Sequence, residues 1–256
     1  MTRLVFAIAV CATVPLLSQT PPKPSFQVAS VKPNAHSGFS PTMRRVAGNR
    51  FSVTGMPLLP LIMDAYNLRN WQIVGGPTWV NIDQWDIEAV ADDGVNLQLF
   101  DFENPSRPTL SALMVQSLVE NRFQFKFHRE TKELPVYELT VAKNGPKLNV
   151  SKGQSAVNRR VTRGEIDIQA YPFATFVYLL ARQLDHALID RTNLKGLYDI
   201  KLQWSTELKT GVETSSSLDH PPIFTALQEQ MGLRLESSKG PVEVLVIDSV
   251  QRPSEN

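Results

Sequence analysis

The sequence predicts an α+β protein made of two similar halves, with mostly antiparallel or mixed sheet. Residues 108–141 and 221–253 carry the same helix-strand-strand pattern. Each is preceded by a strand-helix-strand-strand pattern, and strands mixed with helices in this order favour the α+β class. We therefore expect about four principal helices and an internal duplication.

The late unit, residues 221–253, has the clearer pattern. Its predicted helix has an apolar stripe formed by Phe224, Leu227 and Met231. Gly232 can adopt the left-handed conformation that often ends a helix. Residues 242–247 are an almost unbroken apolar run, which is typical of a strand covered on both faces. We expect this strand to be central in a sheet, after a turn at Ser237 and Ser238.

The early unit, residues 108–141, repeats these elements. The helix is marked by Leu110, Leu113, Met114 and Leu118, and two alternating strands by Phe123, Phe125, Phe127 and by Tyr137, Leu139, Val141. Apolar residues at every second position indicate half-buried strands. The early unit therefore predicts one helix followed by two strands.

The elements upstream of the two units also correspond. Strands are predicted over residues 26–31, 50–54, 71–74 and 85–90 in the first half, and over 166–168, 187–189 and 198–204 in the second. In the first half, residues 55–57 are a turn into a helix, and Pro60 falls in its first turn, where a missing N–H is tolerated. In the second half, Pro172 opens the matching helix. Residues 34–49 are predicted to be a loop.

Matching positions keep a nearly constant separation, which indicates duplication. Pro172 lies 115 positions after Pro57, and Asp199 lies 113 after Asp86. Later pairs are 108 and 106 apart, as short loop deletions would produce. The predicted halves are residues 26–149 and 165–256, separated by the polar stretch 150–164, and a second polar stretch covers 205–219. The pattern leaves open whether the halves are two domains or one fused body.

The charge balance excludes one class of partner. The chain has 256 residues and a net charge of +1. Binding to nucleic acid or to an acidic membrane surface normally requires a concentrated basic excess. We therefore expect neither nucleic acid nor a membrane surface as the main partner.

The N-terminus predicts export. Arg3 precedes an apolar run over residues 4–17, so residues 1–20 resemble a secretory signal peptide, with a retained anchor helix as the alternative. No later window is long and apolar enough for a membrane span. Cys11 is the only cysteine, so a mature chain would contain no disulfide. The expected location is the periplasm or the medium.

The polar residues show no catalytic or metal signature. The histidines His36, His128, His186 and His220 lack metal-ligand spacing, and no phosphate or dinucleotide loop is present. We therefore predict no catalytic residue, no metal site and no cofactor. Asp86 and Asp199 occupy equivalent places, and a structural role for them is favoured over acid-base chemistry.

Among the aromatic residues, Trp79 is the candidate ligand-binding residue. It follows the double glycine at 75–76, and we expect it to be exposed. Other aromatics, among them Trp71, Trp85, Tyr66 and Tyr171, alternate with polar residues and are predicted to be core.

Five segments together resemble the acidobacterial soil-associated proteins, a family of unknown function with many paralogues. They are FQVASVKPN at 26–34, WQIVGGP at 71–77, HRETKELPVY at 128–137, DRTNLKGLYD at 190–199 and SKGPVEVLVID at 238–248. Asn193 stands where the family pattern has glycine, and asparagine also tolerates positive φ.

The resemblance implies an exported bacterial protein without an assigned reaction. Relatives of the domain are attached to membrane metallopeptidases of the antibiotic-sensor type, which implies sensing or binding. Each half is also distantly similar to the short N-terminal module of secretins and TonB-dependent receptors. We therefore expect a binding or sensing module for a peptide, a cell-wall or polysaccharide fragment, another small molecule or a protein partner. A secreted hydrolase is the alternative, and a structural envelope protein is the third possibility.

Overall fold

The computed structural model describes residues 23–34, 43–101, 104–153, 158–205 and 220–254. Within these ranges the α+β prediction is confirmed, because four α-helices and twelve strands form antiparallel and mixed sheets. The predicted signal peptide, residues 1–20, and nearly all of the polar stretch 205–219 lie outside the described residues.

The elements follow one another in an order close to the predicted one. The strands are β1 (Val28–Pro33), β2 (Met43–Ala47), β3 (Arg50–Pro57), β4 (Ile73–Gly75), β5 (Gln84–Val90), β6 (Lys126–Val141), β7 (Asn149–Val150), β8 (Asn158–Thr162), β9 (Glu165–Pro172), β10 (Ala187–Asp190), β11 (Leu197–Gln203) and β12 (Leu233–Ser249). The helices are α1 (Leu58–Ala65), α2 (Leu110–Arg122), α3 (Phe173–Ala181) and α4 (Ile223–Met231), with short 3-10 helices at Asn70–Gln72 and Thr78–Asn81.

Prolines set the start of three helices. Pro57, Pro172 and Pro222 are the N-cap residues of α1, α3 and α4, each with extended backbone before the helix. Proline fixes φ and has no N–H to leave unpaired at the helix start. The fourth helix, α2, is capped by Thr109, whose Oγ1 accepts a hydrogen bond from the Ala112 N–H at 3.2 Å. The sequence signals for helix starts therefore operate as expected.

The first and third sheets have the same design. Their strand orders are β1-β5-β3-β2 and β7-β11-β9-β8, with every pair antiparallel. Phe51 pairs with Ala89 in the first sheet, and Ile166 pairs with Leu202 in the third. Ile166 lies 115 positions after Phe51, and Leu202 lies 113 positions after Ala89, so corresponding residues are paired in the two sheets. The shared register supports the duplication, which itself stays a prediction.

Asp86 and Asp199 stabilise the irregularities in these two sheets. Where β3 and β5 change register, Asp86 Oδ1 accepts hydrogen bonds from the Gly55 N–H at 2.9 Å and from Asn34 Nδ2 at 2.7 Å. Where β9 and β11 change register, Asp199 Oδ1 accepts one from the Ala170 N–H at 2.9 Å. Both carboxylates therefore bind backbone that a regular ladder would have paired. They lie in different sheets and form no acid-base pair.

We expect Asp86→Ala to lower the free energy of unfolding by about 1–3 kcal/mol, because a charged acceptor of two hydrogen bonds is lost. Asp199→Ala is the matched comparison, since its carboxylate is exposed and accepts a single bond, and we expect it to cost about 1 kcal/mol or less. Urea denaturation of both variants measures the difference. A larger loss for Asp199→Ala would contradict this account.

The second sheet joins the two halves. Its order is β10-β6-β12-β4, in which β6 and β12 are antiparallel and both edge strands run parallel to their neighbours. We call the long β6 and β12 pair the central ribbon. The edge strand β4 comes from the first half and joins β12, whereas β10 comes from the second half and joins β6. The predicted central position of residues 242–247 is thus confirmed.

The predicted turn at Ser237 and Ser238 is wrong. Both residues lie within the uninterrupted strand β12, where they pair with Tyr137 and Val136 of β6. The early unit likewise has one strand, β6, where two were predicted. Small polar residues have a weak intrinsic strand preference, and the partner strand decides the outcome here.

Two predicted loops also contain strands. Residues 34–49 include β2, and the polar stretch 150–164 includes β8 and the end of β7. Each of these short strands lies at the edge of its sheet. Edge strands can be polar because one side faces solvent, so their sequences resemble loops.

The apolar side chains form two cores, and each core uses both halves. The first core combines residues between 31 and 125 with Leu245 and Ile247 of β12. The second combines residues between 166 and 235 with Leu139 of β6. The central ribbon therefore contributes buried residues to both cores. This sharing favours the fused body over two independent domains.

Candidate functional site

A cleft opens where the C-terminal ends of α1 and α3 approach each other. It has a volume of about 340 Å³ and lies between these helices, the loop before α2 and the central ribbon. We call it the α1–α3 cleft, and its lining includes Asp64, Asn67, Phe100, Arg129, Tyr178 and Arg182. Because α1 belongs to the first half and α3 to the second, the cleft exists only in the assembled chain.

The end of α1 is shaped by a left-handed residue. Asn67 has φ +53°, and its N–H donates to the Asp64 carbonyl at 3.4 Å. The N–H of Leu68 donates to the Met63 carbonyl at 2.8 Å. This pair of bonds is the Schellman arrangement that reverses the chain after a helix. The reversal directs the Asn67 side chain toward α3, where its Oδ1 accepts a hydrogen bond from Tyr178 Oη at 3.1 Å.

The α3 side of the cleft holds an arginine against two aromatic rings. Arg182 lies one helical turn after Tyr178 and donates to the Tyr178 hydroxyl at 3.2 Å. Its guanidinium carbon is 5.3 Å from the centroid of the Phe100 ring and 5.7 Å from that of Tyr178. A guanidinium at such distances interacts favourably with the face of a ring. These contacts hold the charge of Arg182 in place at the cleft.

A second arginine, Arg69, lies beside Arg182. Its guanidinium donates to the Arg182 carbonyl, which joins the two halves directly. Burial, and next the positive charge of Arg182, lower the pKa of Arg69. Neither arginine forms an ion pair with any residue that the structure describes. The positive charge of Arg69 is therefore held next to Arg182, just outside the residues that line the cleft.

The tyrosines of the cleft are donors and not nucleophiles. Burial, and next a hydrogen bond to Glu120, raise the pKa of the Tyr66 phenol far above its usual range. The Tyr66 hydroxyl donates to Glu120 Oε1 at 2.8 Å. Burial also raises the pKa of Tyr178, against the opposing effect of Arg182. Both phenols therefore stay protonated at physiological pH.

The central ribbon closes another side of the cleft. Arg129 of β6 and Glu243 of β12 form an ion pair across the ribbon, and both side chains are about half exposed. Exposed pairs of this kind contribute little to stability. Asp64 and Asp101 also line the cleft, so its lining contains both acidic and basic side chains.

A larger depression, of about 600 Å³, lies beside α4 and the far end of the central ribbon. Its basic residues Lys143 and Lys147 are exposed, and no aromatic side chain of the described ranges lines it. The α1–α3 cleft is lined by aromatic rings and contains phenols with perturbed pKa values, which are typical of functional sites. It is therefore the better candidate site.

Trp79, the predicted ligand-binding residue, lies outside this cleft. Its ring packs against the first core and is 6.4 Å from the ring of Trp85. The Arg252 guanidinium lies 5.0 Å from the ring centroid and its Nε donates to Asp83 at 2.7 Å. The prediction that Trp79 is exposed is therefore wrong, because it is half-buried under Arg252. Its role in ligand binding stays a prediction.

Sequence patterns did not predict the cleft residues Phe100, Tyr178 and Arg182, or the neighbouring Arg69. They lie in separate parts of the chain and match no motif. One weak signal was available, since each of these two arginines closely follows an apolar helix that begins after a proline. That signal does not show that the two helix ends meet.

The described ranges contain no group of three or more histidine, cysteine, aspartate or glutamate side chains that could hold a metal ion. They also contain no helix that is both long and apolar enough to cross a membrane. The predicted absence of cofactors stays a prediction.

His128 takes part in an exposed ion-pair cluster on the central ribbon. Its Nε2 is 3.0 Å from Glu130 Oε1, and its Nδ1 is 2.7 Å from Asp248 Oδ1. Hydrogen bonds to Glu130 and then to Asp248 raise the pKa of His128. In return, His128 lowers the pKa of Glu130, which Lys132 also contacts.

We expect the titration of His128, followed by NMR, to give a pKa above the ordinary 6.5. Because the folded pKa is raised, its stabilising effect is fully present below the unfolded pKa and disappears as the pH rises through the folded pKa. Urea midpoints measured across this window should fall less steeply with pH in His128→Gln than in the parent. Identical pH profiles of the urea midpoint in His128→Gln and the parent would contradict a stabilising role for the His128 ion pairs.

The comparisons with known proteins give one match. A family model described as "Protein of unknown function (DUF3738)" matches residues 60–250, which include all of the cleft residues discussed above. Neither the search of curated proteins nor the search of solved structures finds a match.

Proposed function

We propose a ligand-binding function for this chain, which belongs to the family of proteins of unknown function DUF3738. The ligand would occupy the α1–α3 cleft. One observation carries the proposal: both halves supply polar and aromatic groups that converge on a single concave site. A concave site with a few convergent polar groups is the usual form of a small-molecule pocket.

Binding suits this site better than hydrolysis does. A hydrolase needs a nucleophile or an acid-base group whose pKa lies near the working pH. The cleft phenols have pKa values raised away from that range. Its arginine and tyrosine side chains are well suited to hydrogen bonding and to stacking on a planar ligand. The family membership assigns no reaction.

We also propose that the protein is exported and acts in the periplasm or outside the cell. The N-terminal pattern of Arg3 and the apolar run 4–17 supports this. The proposed acidobacterial origin with many paralogues rests on the five sequence segments. N-terminal sequencing of the native protein should find a start near residues 19–21. An intact Met1 in a cytoplasmic fraction would contradict export.

The binding function can be tested with a cleft-filling variant. Ser106 lies on the exposed rim of the cleft, so Ser106→Trp should obstruct it without disturbing the core. Ser254→Trp makes the same change at an exposed serine outside the cleft. A panel of peptides, glycans and cell-wall fragments is screened for compounds that raise the melting temperature of the parent, because a ligand that binds only the folded state stabilises it.

The expected result is a compound that stabilises the parent and Ser254→Trp but not Ser106→Trp. Stabilisation that is equal in all three proteins would place the ligand elsewhere and contradict the cleft assignment. Turnover of a compound by the parent, abolished in Ser106→Trp, would show that the site is catalytic.

A further inference from the structure

We propose that the α1–α3 cleft binds the carboxylate group of a small ligand, with Arg182 as its main partner and Arg69 as a supporting charge. This inference rests on the proposed function and specifies the chemistry of its ligand. It is carried by the guanidinium of Arg182, which the described residues leave without an ion pair, and by the Arg69 guanidinium, which donates to the Arg182 main-chain carbonyl.

Arg182 has unused hydrogen-bonding capacity. A guanidinium has five N–H donors in a planar fork. The hydrogen bond that Arg182 donates goes to the Tyr178 hydroxyl, and its other contacts are with the Phe100 and Tyr178 rings. No carboxylate lies within ion-pair distance of it anywhere in the described ranges. Buried polar side chains usually bind protein acceptors, and among the described residues the Arg182 guanidinium has one, the Tyr178 hydroxyl.

The position of Arg69 adds to the attraction for an anion. Its guanidinium contacts the Arg182 main chain, which holds the charge of Arg69 beside this residue, and the positive charge of Arg182 in turn lowers the pKa of Arg69. Like charges in proximity are unfavourable unless an anion neutralises them. A ligand anion beside Arg182 would remove this repulsion. The pair of arginines is therefore more favourable with a bound anion than without one.

The other charges of the cleft favour a carboxylate over a phosphate. The cleft is lined by three carboxylates and three arginines: Asp64, Asp101, Glu243, Arg107, Arg129 and Arg182. Glu243 is already paired with Arg129. Because the charges of the lining balance, the site matches the single negative charge of a carboxylate better than the nearly double charge of a phosphate group at neutral pH. The Phe100 and Tyr178 rings beside Arg182 offer contact for a planar or apolar part of the same ligand.

The test uses three probes that share an aromatic ring. Hippurate carries a carboxylate, hippuramide is its neutral counterpart, and phenyl phosphate carries the alternative anion. Each is titrated into the full-length mature protein while NMR follows the arginine Nε–Hε signals and the cleft backbone. The variants are Arg182→Gln and Arg182→Lys, with Arg191→Gln as the matched control, since Arg191 is exposed and lies outside the cleft.

We expect hippurate to shift the Arg182 signal saturably and to bind more tightly than either other probe. Arg182→Gln should weaken hippurate roughly 10- to 100-fold, as expected for loss of a hydrogen bond to a charged group. Arg182→Lys should lose less affinity for hippurate, because lysine keeps the positive charge although it lacks the planar set of donors of a guanidinium. Arg191→Gln should bind hippurate as the parent does.

Three results would overturn the proposal. Equal affinity for hippurate and hippuramide in the cleft would remove the carboxylate subsite and leave the binding function standing. Tighter binding of phenyl phosphate would assign the arginines to phosphate. Hippurate binding that is absent, or unchanged in Arg182→Gln, would remove the subsite altogether. Whether the cleft binds a ligand at all is decided separately, by comparing ligand stabilisation of Ser106→Trp with that of Ser254→Trp.

Discussion

Replacing Val244 or Leu245 by aspartate is expected to lower the free energy of unfolding by about 3 kcal/mol or more. These consecutive residues point to opposite faces of β12, and each is only 1 % exposed. The strand lies between β6 and β4, so both of its edges are paired here, and the burial of the two side chains shows that both faces are covered at this point. A carboxylate there loses its hydration and gains no partner. Urea denaturation of the purified variants measures the effect.

Ser237→Asp is the control for this experiment. Ser237 lies in the same strand but is exposed, so a charge there remains hydrated. We expect it to cost about 0.5 kcal/mol or less. If the midpoints of Ser237→Asp and the two core variants coincide, β12 is not the central element described above.

Gly232→Ala should cost about 2–4 kcal/mol, for two independent reasons. Gly232 has φ +63°, which is unfavourable for a residue with a Cβ. The added Cβ would also lie 2.3 Å from the Gly145 carbonyl oxygen and 2.9 Å from the Lys147 nitrogen. Both are backbone atoms, so relief requires the chain to move.

Gly145→Ala separates the two causes. Gly145 also has positive φ, +79°, but a Cβ there would meet no atom within 4 Å. We expect a cost of about 1 kcal/mol, from the backbone conformation alone. Thermal denaturation of both variants gives the comparison. Equal losses would show that the contact of Gly232 with the 145–147 backbone is unimportant.

Local signals in the sequence identified most of the elements. The prolines at 57 and 172 mark helix starts, and Gly232 ends α4 in the left-handed conformation, as predicted. Asn193 has φ +57°, a conformation that asparagine tolerates. These features depend on a few neighbouring residues, which is why sequence patterns describe them well.

The candidate site could not be predicted in the same way. Asn67 and Tyr178 meet because α1 and α3 end against each other, which depends on the packing of the whole chain. Trp79 was predicted to be exposed but is half-buried, because Arg252, from the other end of the chain, covers its ring. Contacts between such distant positions leave no periodic pattern in one sequence.

The shared central ribbon also has a consequence for how the chain acquires its structure. The first core needs Leu245 and Ile247, which are synthesised long after the rest of that core. Until they emerge, the earlier residues have an incomplete apolar cluster, and pairing β12 with β6 requires closure of a long loop. The first half therefore completes its core only after β12 has been synthesised. Folding of the two halves is thus coupled through this one strand.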